Sequence, residues 1–123
     1  MKTLVVDDDE DMLEVISQYL SLKGFEIVGR AKNGKMGFEI YQRQKPELVI
    51  TDIMMPDYDG LYLIGKIRQV SPNANIIAVT GDIRDSTRIK LSEENVHILF
   101  KPFEIKKFLK ICTSIKENYV KTN

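Results

Sequence analysis

Asp7 and Asp8 follow the apolar run Leu4-Val5-Val6, and Asp52 closes Leu48-Val49-Ile50-Thr51. Thr80 ends Ile76-Ile77-Ala78-Val79, and Lys101 ends Ile98-Leu99-Phe100 directly before Pro102. Carboxylates brought together repel and raise one another's pKa, so such a cluster costs stability unless a cation joins it. A hard divalent ion, Mg2+ or Mn2+, takes carboxylate and water oxygens and also neutralises phosphoryl oxygens. Lys101 adds a point charge suited to a phosphate oxygen. Thr80 supplies a hydroxyl donor, and Gly81 leaves space beside it for an incoming group. A carboxylate nucleophile, a metal, an ammonium and a hydroxyl together suit phosphoryl transfer onto an aspartate.

These residues can meet only if the runs that carry them lie side by side. Short, near-continuous apolar runs read as buried strands of a parallel sheet, here over residues 3–6, 25–29, 47–51, 75–79 and 97–100. Helical patterns lie between them. Met12, Leu13, Ile16 and Leu20 form one stripe after an Asp9 N-cap, and Gly24 stops that helix. Asn33 caps a second helix, with Met36, Ile40 and Tyr41 on one face and Pro46 beyond its end. A third helix runs from about Leu61 to Val70, with Leu61, Ile64 and Ile67 three apart. Residues 85–94 form a weakly apolar helix with Asp85 or Ser86 as cap. The last helix, about 103–118, carries Ile105, Phe108, Leu109, Cys112 and Ile115, and polar residues 117–123 fray. The fold expected is α/β: a (βα)5 flavodoxin-like, doubly wound parallel sheet with strand order 2-1-3-4-5. Ligands in such sheets bind at the carboxyl ends of the strands, at the switch point between strands 1 and 3.

The length, 123 residues, suits one domain. Basic and acidic residues are equal at 18 each, which argues against nucleic acid or an anionic membrane as a direct ligand. The single cysteine, Cys112, excludes an internal disulfide and fits a reducing compartment. No apolar stretch approaches the roughly 18–20 residues needed to cross a bilayer. Met1-Lys2-Thr3 runs straight into the first strand without a signal peptide. The expectation is a cytoplasmic protein without membrane insertion.

Val5-Val6-Asp7-Asp8-Asp9, Thr51-Asp52-Ile53-Met54-Met55-Pro56-Asp57-Tyr58-Asp59-Gly60, Ala78-Val79-Thr80-Gly81 and Lys101-Pro102-Phe103 together resemble the receiver domain of two-component response regulators. The resemblance covers nearly the whole chain: a receiver over residues 1–118, then a short polar tail, 119–123, with no output domain. It implies that Asp52 is the phosphoacceptor and that Asp8 is a direct Mg2+ ligand. It also implies that Asp7 holds the metal through water and that the Met54 backbone carbonyl is the third protein ligand. Lys101 pairs with the phosphoryl group, Thr80 is the switch hydroxyl, and the Lys101-Pro102 bond is a candidate for cis. Met54 and Asp82 flank the route of the hydrolytic water and tune the phosphoryl lifetime. The phosphodonor implied is a sensor histidine kinase or a histidine phosphotransfer protein. The readout is a protein target on the face made by helix 4, strand 5 and helix 5, where Lys90, Lys106, Lys107 and Lys110 suit an acidic partner.

One position departs from the family. An aromatic residue usually stands three before the lysine; Ile98 stands there, and His97 points to the opposite face. Three other readings compete. A haloacid-dehalogenase-type phosphatase matches Asp7-x-Asp9 but leaves the Asp52–Pro56 segment unexplained. A flavin-binding domain would put phosphate against the acidic run. A degenerate receiver would not need the full set of acids, hydroxyl and lysine.

Overall fold

A computed structural model describes residues 1–82 and 84–122. Strands β1 (Lys2–Val6), β2 (Glu26–Ala31), β3 (Leu48–Asp52), β4 (Asn75–Thr80) and β5 (His97–Phe100) alternate with helices α1 (Glu10–Leu22), α2 (Gly34–Gln44), α3 (Gly60–Val70), α4 (Asp85–Glu93) and α5 (Ile105–Thr122). The strands form one parallel sheet in the order β2-β1-β3-β4-β5, the flavodoxin-like order expected. Every residue of β3 is buried because helices cover both faces, which is why such strands carry continuous apolar runs.

Alternation along each strand divides the core into two layers. Leu4, Val6, Val49, Ile76 and Ala78 pack with Leu63, Ile64, Ile67 and Leu91 of α3 and α4. Val5, Leu48, Ile50, Ile77 and Val79 pack with Leu13, Ile16, Phe108 and Cys112 of α1 and α5. Caps set the helix starts. Asp9 accepts from the Asp11 and Met12 amides, Asn33 from Met36 and Asp59 from Tyr62, each satisfying otherwise orphaned donors. Gly24 follows α1 at φ +85°, the left-handed geometry that ends helices and favours glycine.

Four local expectations are corrected. Strand β2 runs to Ala31 rather than Gly29, pairing with β1 through a register shift at Thr3/Leu4. The buried face of α2 is Gly34, Gly37 and Tyr41, whereas Met36 is 43% exposed. Gly37 sits at the centre of that face: a Cβ there would stand 3.2 Å from methyls of Leu63 and Val6, so a larger residue would have to push those side chains aside. Neither Asp85 nor Ser86 caps α4; Arg84 takes the N-cap position and makes no side-chain cap bond, since a guanidinium has no acceptor to offer, and its own amide donates to Asp82. Finally, α5 starts at Ile105 and continues through Thr122, so 117–122 are helical rather than frayed, and Asn123 lies outside the described residues. The Tyr119 hydroxyl donates to Glu47 Oε2 (2.7 Å), while Glu47 Oε1 accepts from the Lys2 amide (2.8 Å). No helix among the described residues is long and apolar enough to cross a membrane.

Arg68 of α3 ties three segments together. Its Nε donates to the Glu94 carbonyl (2.8 Å), Nη1 to Ala74 (2.8 Å) and Nη2 to Asn95 (3.3 Å). A lysine cannot reproduce that planar fork. Arg68→Lys is expected to lower unfolding free energy by about 1–3 kcal/mol, read by urea denaturation, with unchanged stability as the contrary result.

Candidate functional site

Because β1 and β3 are neighbours with Val6 opposite Thr51, the residues at and just past their ends fall together. Carboxylate oxygens of Asp7, Asp8 and Asp52 all lie within 4.8 Å of one another. Lys101 reaches them from the end of β5, with Nζ 3.3 Å from Asp52 Oδ2 and 3.8 Å from Asp7 Oδ2. Asp7 and Asp52 are buried and Asp8 is exposed, so the pocket has two dry carboxylates and one facing water. Burial pushes the Asp7 carboxyl up to about 6; the Asp9 amide donating to its Oδ1 (2.9 Å) opposes the shift, and the Asp52 charge reinforces it. Burial likewise raises Asp52, with Lys101 pulling the other way. An all-oxygen set of this kind is the chemistry a hard divalent cation takes.

The backbone under Asp52 is closely fitted. A Cβ on Gly60 would collide with the Asp52 carbonyl oxygen and stand 2.7 Å from Ile53 Cα. The Gly60 amide donates to the Ile53 carbonyl (2.9 Å), and the Thr51 hydroxyl donates to the Asp52 carbonyl (2.8 Å). The start of α3 thus presses on the strand end that presents the carboxylate.

The other residues singled out in the sequence fall around this centre. Thr80 is fully buried, and its Oγ1 accepts from the Asp82 amide (2.9 Å). Gly81 is exposed, and nothing lies within 4 Å of where its Cβ would be, leaving open room beside Thr80. Met54, 58% exposed, shares a shallow cleft of about 470 Å³ with Asp8, Asp82 and Arg84. The Lys101-Pro102 bond is cis. Ile98 is half-buried against the α3–α4 layer, and His97 is exposed. Asp9, which the phosphatase reading would need in the pocket, is occupied in capping α1.

Arg84 was not singled out in the sequence. Its guanidinium grips Asp82 through Nε (2.9 and 3.0 Å) and Nη2 (2.7 Å), and with the Thr87 hydroxyl (2.7 Å) it holds the Asp82 carboxyl well below the usual carboxylate range. The Asp-x-Arg spacing was the available signal, since aspartate commonly accepts from the amide two residues on. A larger concavity, about 950 Å³, lies between α5 and the starts of β4 and β5, bordered by Asn75, His97, Lys107, Lys110 and Tyr119. It lacks convergent acids.

A carboxyl whose pKa is raised by folding binds its proton more tightly in the native state. The stability this lends is complete below the unfolded value of 3.8 and is lost as pH rises through about 6. In EDTA, Asp7 should therefore cost the fold on the order of 3 kcal/mol at pH 7 relative to pH 4. Asp7→Asn should remove that part of the slope in a pH series of urea melts; parallel curves for the two proteins would contradict it.

Comparison with known proteins identifies the family. The family model described as the response regulator receiver domain matches residues 3–113. The chain is similar to the chemotaxis protein CheY of Bacillus subtilis (33% identical over 109 residues; 88% of this chain, 91% of that protein). It is also similar to the probable C4-dicarboxylate response regulator DctR of the same organism (29% identical, 94% of this chain), of which it spans about half, 52%. Among solved structures, a CheY-like receiver domain protein from Methanospirillum hungatei superposes with a TM-score of 0.87 at 25% identity, covering 98% of this chain and 97% of that one. CheY of Borrelia burgdorferi, in a complex with CheX, BeF3 and Mg2+, shares the fold (TM-score 0.87, 23% identity, 94% and 88% covered). The chain belongs to the response regulator receiver domain family.

Proposed function

We propose that this chain is a response regulator receiver that accepts a phosphoryl group on Asp52 from a phosphohistidine of a sensor histidine kinase or histidine phosphotransfer protein. The observation that carries the reading is the convergence of Asp7, Asp8, Asp52 and Lys101 at one strand-end rim. Asp8, Asp7, Asp52 and the Met54 backbone carbonyl would hold Mg2+ or Mn2+. When bound, the ion neutralises charge on the phosphoryl oxygens.

An Asp52 carboxylate oxygen forms the new bond to phosphorus as the phosphorus–nitrogen bond to the donor imidazole breaks, in line with it. Lys101, already beside Asp52, moves its ammonium onto a phosphoryl oxygen, which gains a charge-assisted hydrogen bond. Thr80 turns its hydroxyl proton to another oxygen, in the room left open by Gly81. Water later attacks phosphorus and releases inorganic phosphate, restoring the carboxylate. Met54 and Asp82 line the cleft by which that water arrives and so set the lifetime. Such a protein catalyses only its own phosphotransfer and dephosphorylation.

The output in this reading is a shifted conformational equilibrium read by a cytoplasmic protein on the α4–β5–α5 face. Lys90 of α4 and Lys106, Lys107 and Lys110 of α5 are exposed and suit an acidic partner. Ile98 replaces the usual aromatic, so the switch has no ring to rotate at that position.

Incubation with acetyl phosphate and Mg2+ should add one phosphoryl group to the wild-type intact mass and none to Asp52→Asn; equal labelling of both would overturn the assignment. Mg2+ alone should raise the thermal midpoint of the wild type by mass action, and Asp8→Ala should blunt that rise.

A further inference from the structure

Residues 33 and 34 answer to separate structural demands. Asn33 is the N-cap of α2, where its Oδ1 accepts from the Met36 amide (2.9 Å); that position favours asparagine, aspartate or serine. Gly34 is buried under the β3–α3 loop. A Cβ there would stand 2.5 Å from the Asp59 carbonyl oxygen and 3.0 Å from that of Tyr58, so no larger residue fits without moving backbone. The two demands together put an asparagine directly before a glycine, the one such pair in the chain. Asn73, Asn75, Asn95 and Asn118 precede Ala74, Ile76, Val96 and Tyr119, whose side chains crowd the backbone nitrogen that follows each asparagine. With no side chain on the next residue, an asparagine is at its most labile, because that nitrogen can close on the side-chain amide.

We propose that Asn33 is a self-modification site, closing onto Gly34 at a rate set by how often the first turn of α2 parts from the Tyr58 carbonyl. Hydroxide removes the Gly34 N–H proton, and the nitrogen attacks Asn33 Cγ. The new C–N bond closes a succinimide ring, and the side-chain nitrogen leaves as ammonia. Water then opens the ring at either carbonyl, giving aspartate or isoaspartate at position 33. Two contacts oppose closure in the folded chain. The Gly34 amide donates its proton to the Tyr58 carbonyl (2.7 Å), and the Asn33 side chain is committed to Met36. Both must be released before the ring can form, so the reaction runs through a local opening. The two products differ in consequence. Aspartate keeps the cap oxygen and adds a negative charge where a helix start favours one. Isoaspartate lengthens the main chain by one carbon between residues 33 and 34, so the cap on Met36 and the Gly34–Tyr58 bond fall out of register. Tyr58 stands in the loop between Asp52 and α3. The iso product therefore loosens the support of the acidic site while leaving its carboxylates and Lys101 chemically intact.

Amide hydrogen exchange begins with the same step, removal of the Gly34 proton by base, so the two rates should share one opening equilibrium. The full chain would be aged in mildly alkaline buffer, folded or unfolded in urea. Peptide mapping would then read the amide-to-acid mass gain, and isoaspartyl methyltransferase would mark the iso product. The folded chain should convert at Asn33 ahead of every other asparagine, at least about tenfold more slowly than in urea. That slowdown should match the exchange protection of the Gly34 amide within about threefold. Asn33→Ser, which keeps a cap oxygen, should show no gain in the same peptide. Equal rates with and without urea would overturn the gate. So would a slowdown more than about tenfold away from the Gly34 protection. A folded chain that converts first at Asn73, Asn75, Asn95 or Asn118, or that stays unmodified at Asn33 while the urea sample converts there, would overturn the site.

Discussion

Two carboxylates are held in a dry corner where burial makes ionisation costly, and a lysine arrives from two strands away to offset their charge. Desolvation is the largest influence on both Asp7 and Asp52. Their proximity follows from β1 and β3 being neighbours. Lys101 reaches both from the end of β5. Strand order is thus an electrostatic matter as much as a packing one. A different order would separate the acids or strand the ammonium, and the pocket would lose the tension that makes an arriving cation favourable.

Around that corner the structure divides into a tightly fitted side and a loosely held one. On the fitted side, Gly37 brings α2 against Val6 and Leu63, and Gly60 seats α3 on the backbone of Asp52 and Ile53. These close approaches, tightest at Gly60, fix the backbone that presents the Asp52 carboxylate. On the other side α4 is fastened mainly through hydrogen bonds at its two ends. Segments with few apolar contacts are the ones that open at the lowest free energy.

The topology and the acidic centre were legible in the residues because apolar runs punctuated by Asp7-Asp8, Asp52, Thr80 and Lys101 carry both kinds of information at once. Caps at Asp9 and Asn33 were legible for the same local reason. What escaped notice depended on contacts distant in sequence. Met36 reads as part of a buried stripe, yet the face that packs is the one carrying Gly34, Gly37 and Tyr41. The last turns of α5 read as a polar tail, yet Tyr119 finds Glu47 across 72 residues of chain. Arg84 and Arg68 look like ordinary solvated side chains; their carbonyl and carboxylate partners exist only once α4 is in place.

The Tyr119–Glu47–Lys2 contact gathers the beginning of β1 and the end of α5 at the pole of the sheet opposite the acidic rim. A fluorophore or affinity handle appended at either end would accordingly sit a full strand length from Asp52. Surface immobilisation through such a handle would present the acidic rim outward, so binding there could be followed on a sensor chip without the attachment chemistry intruding on it.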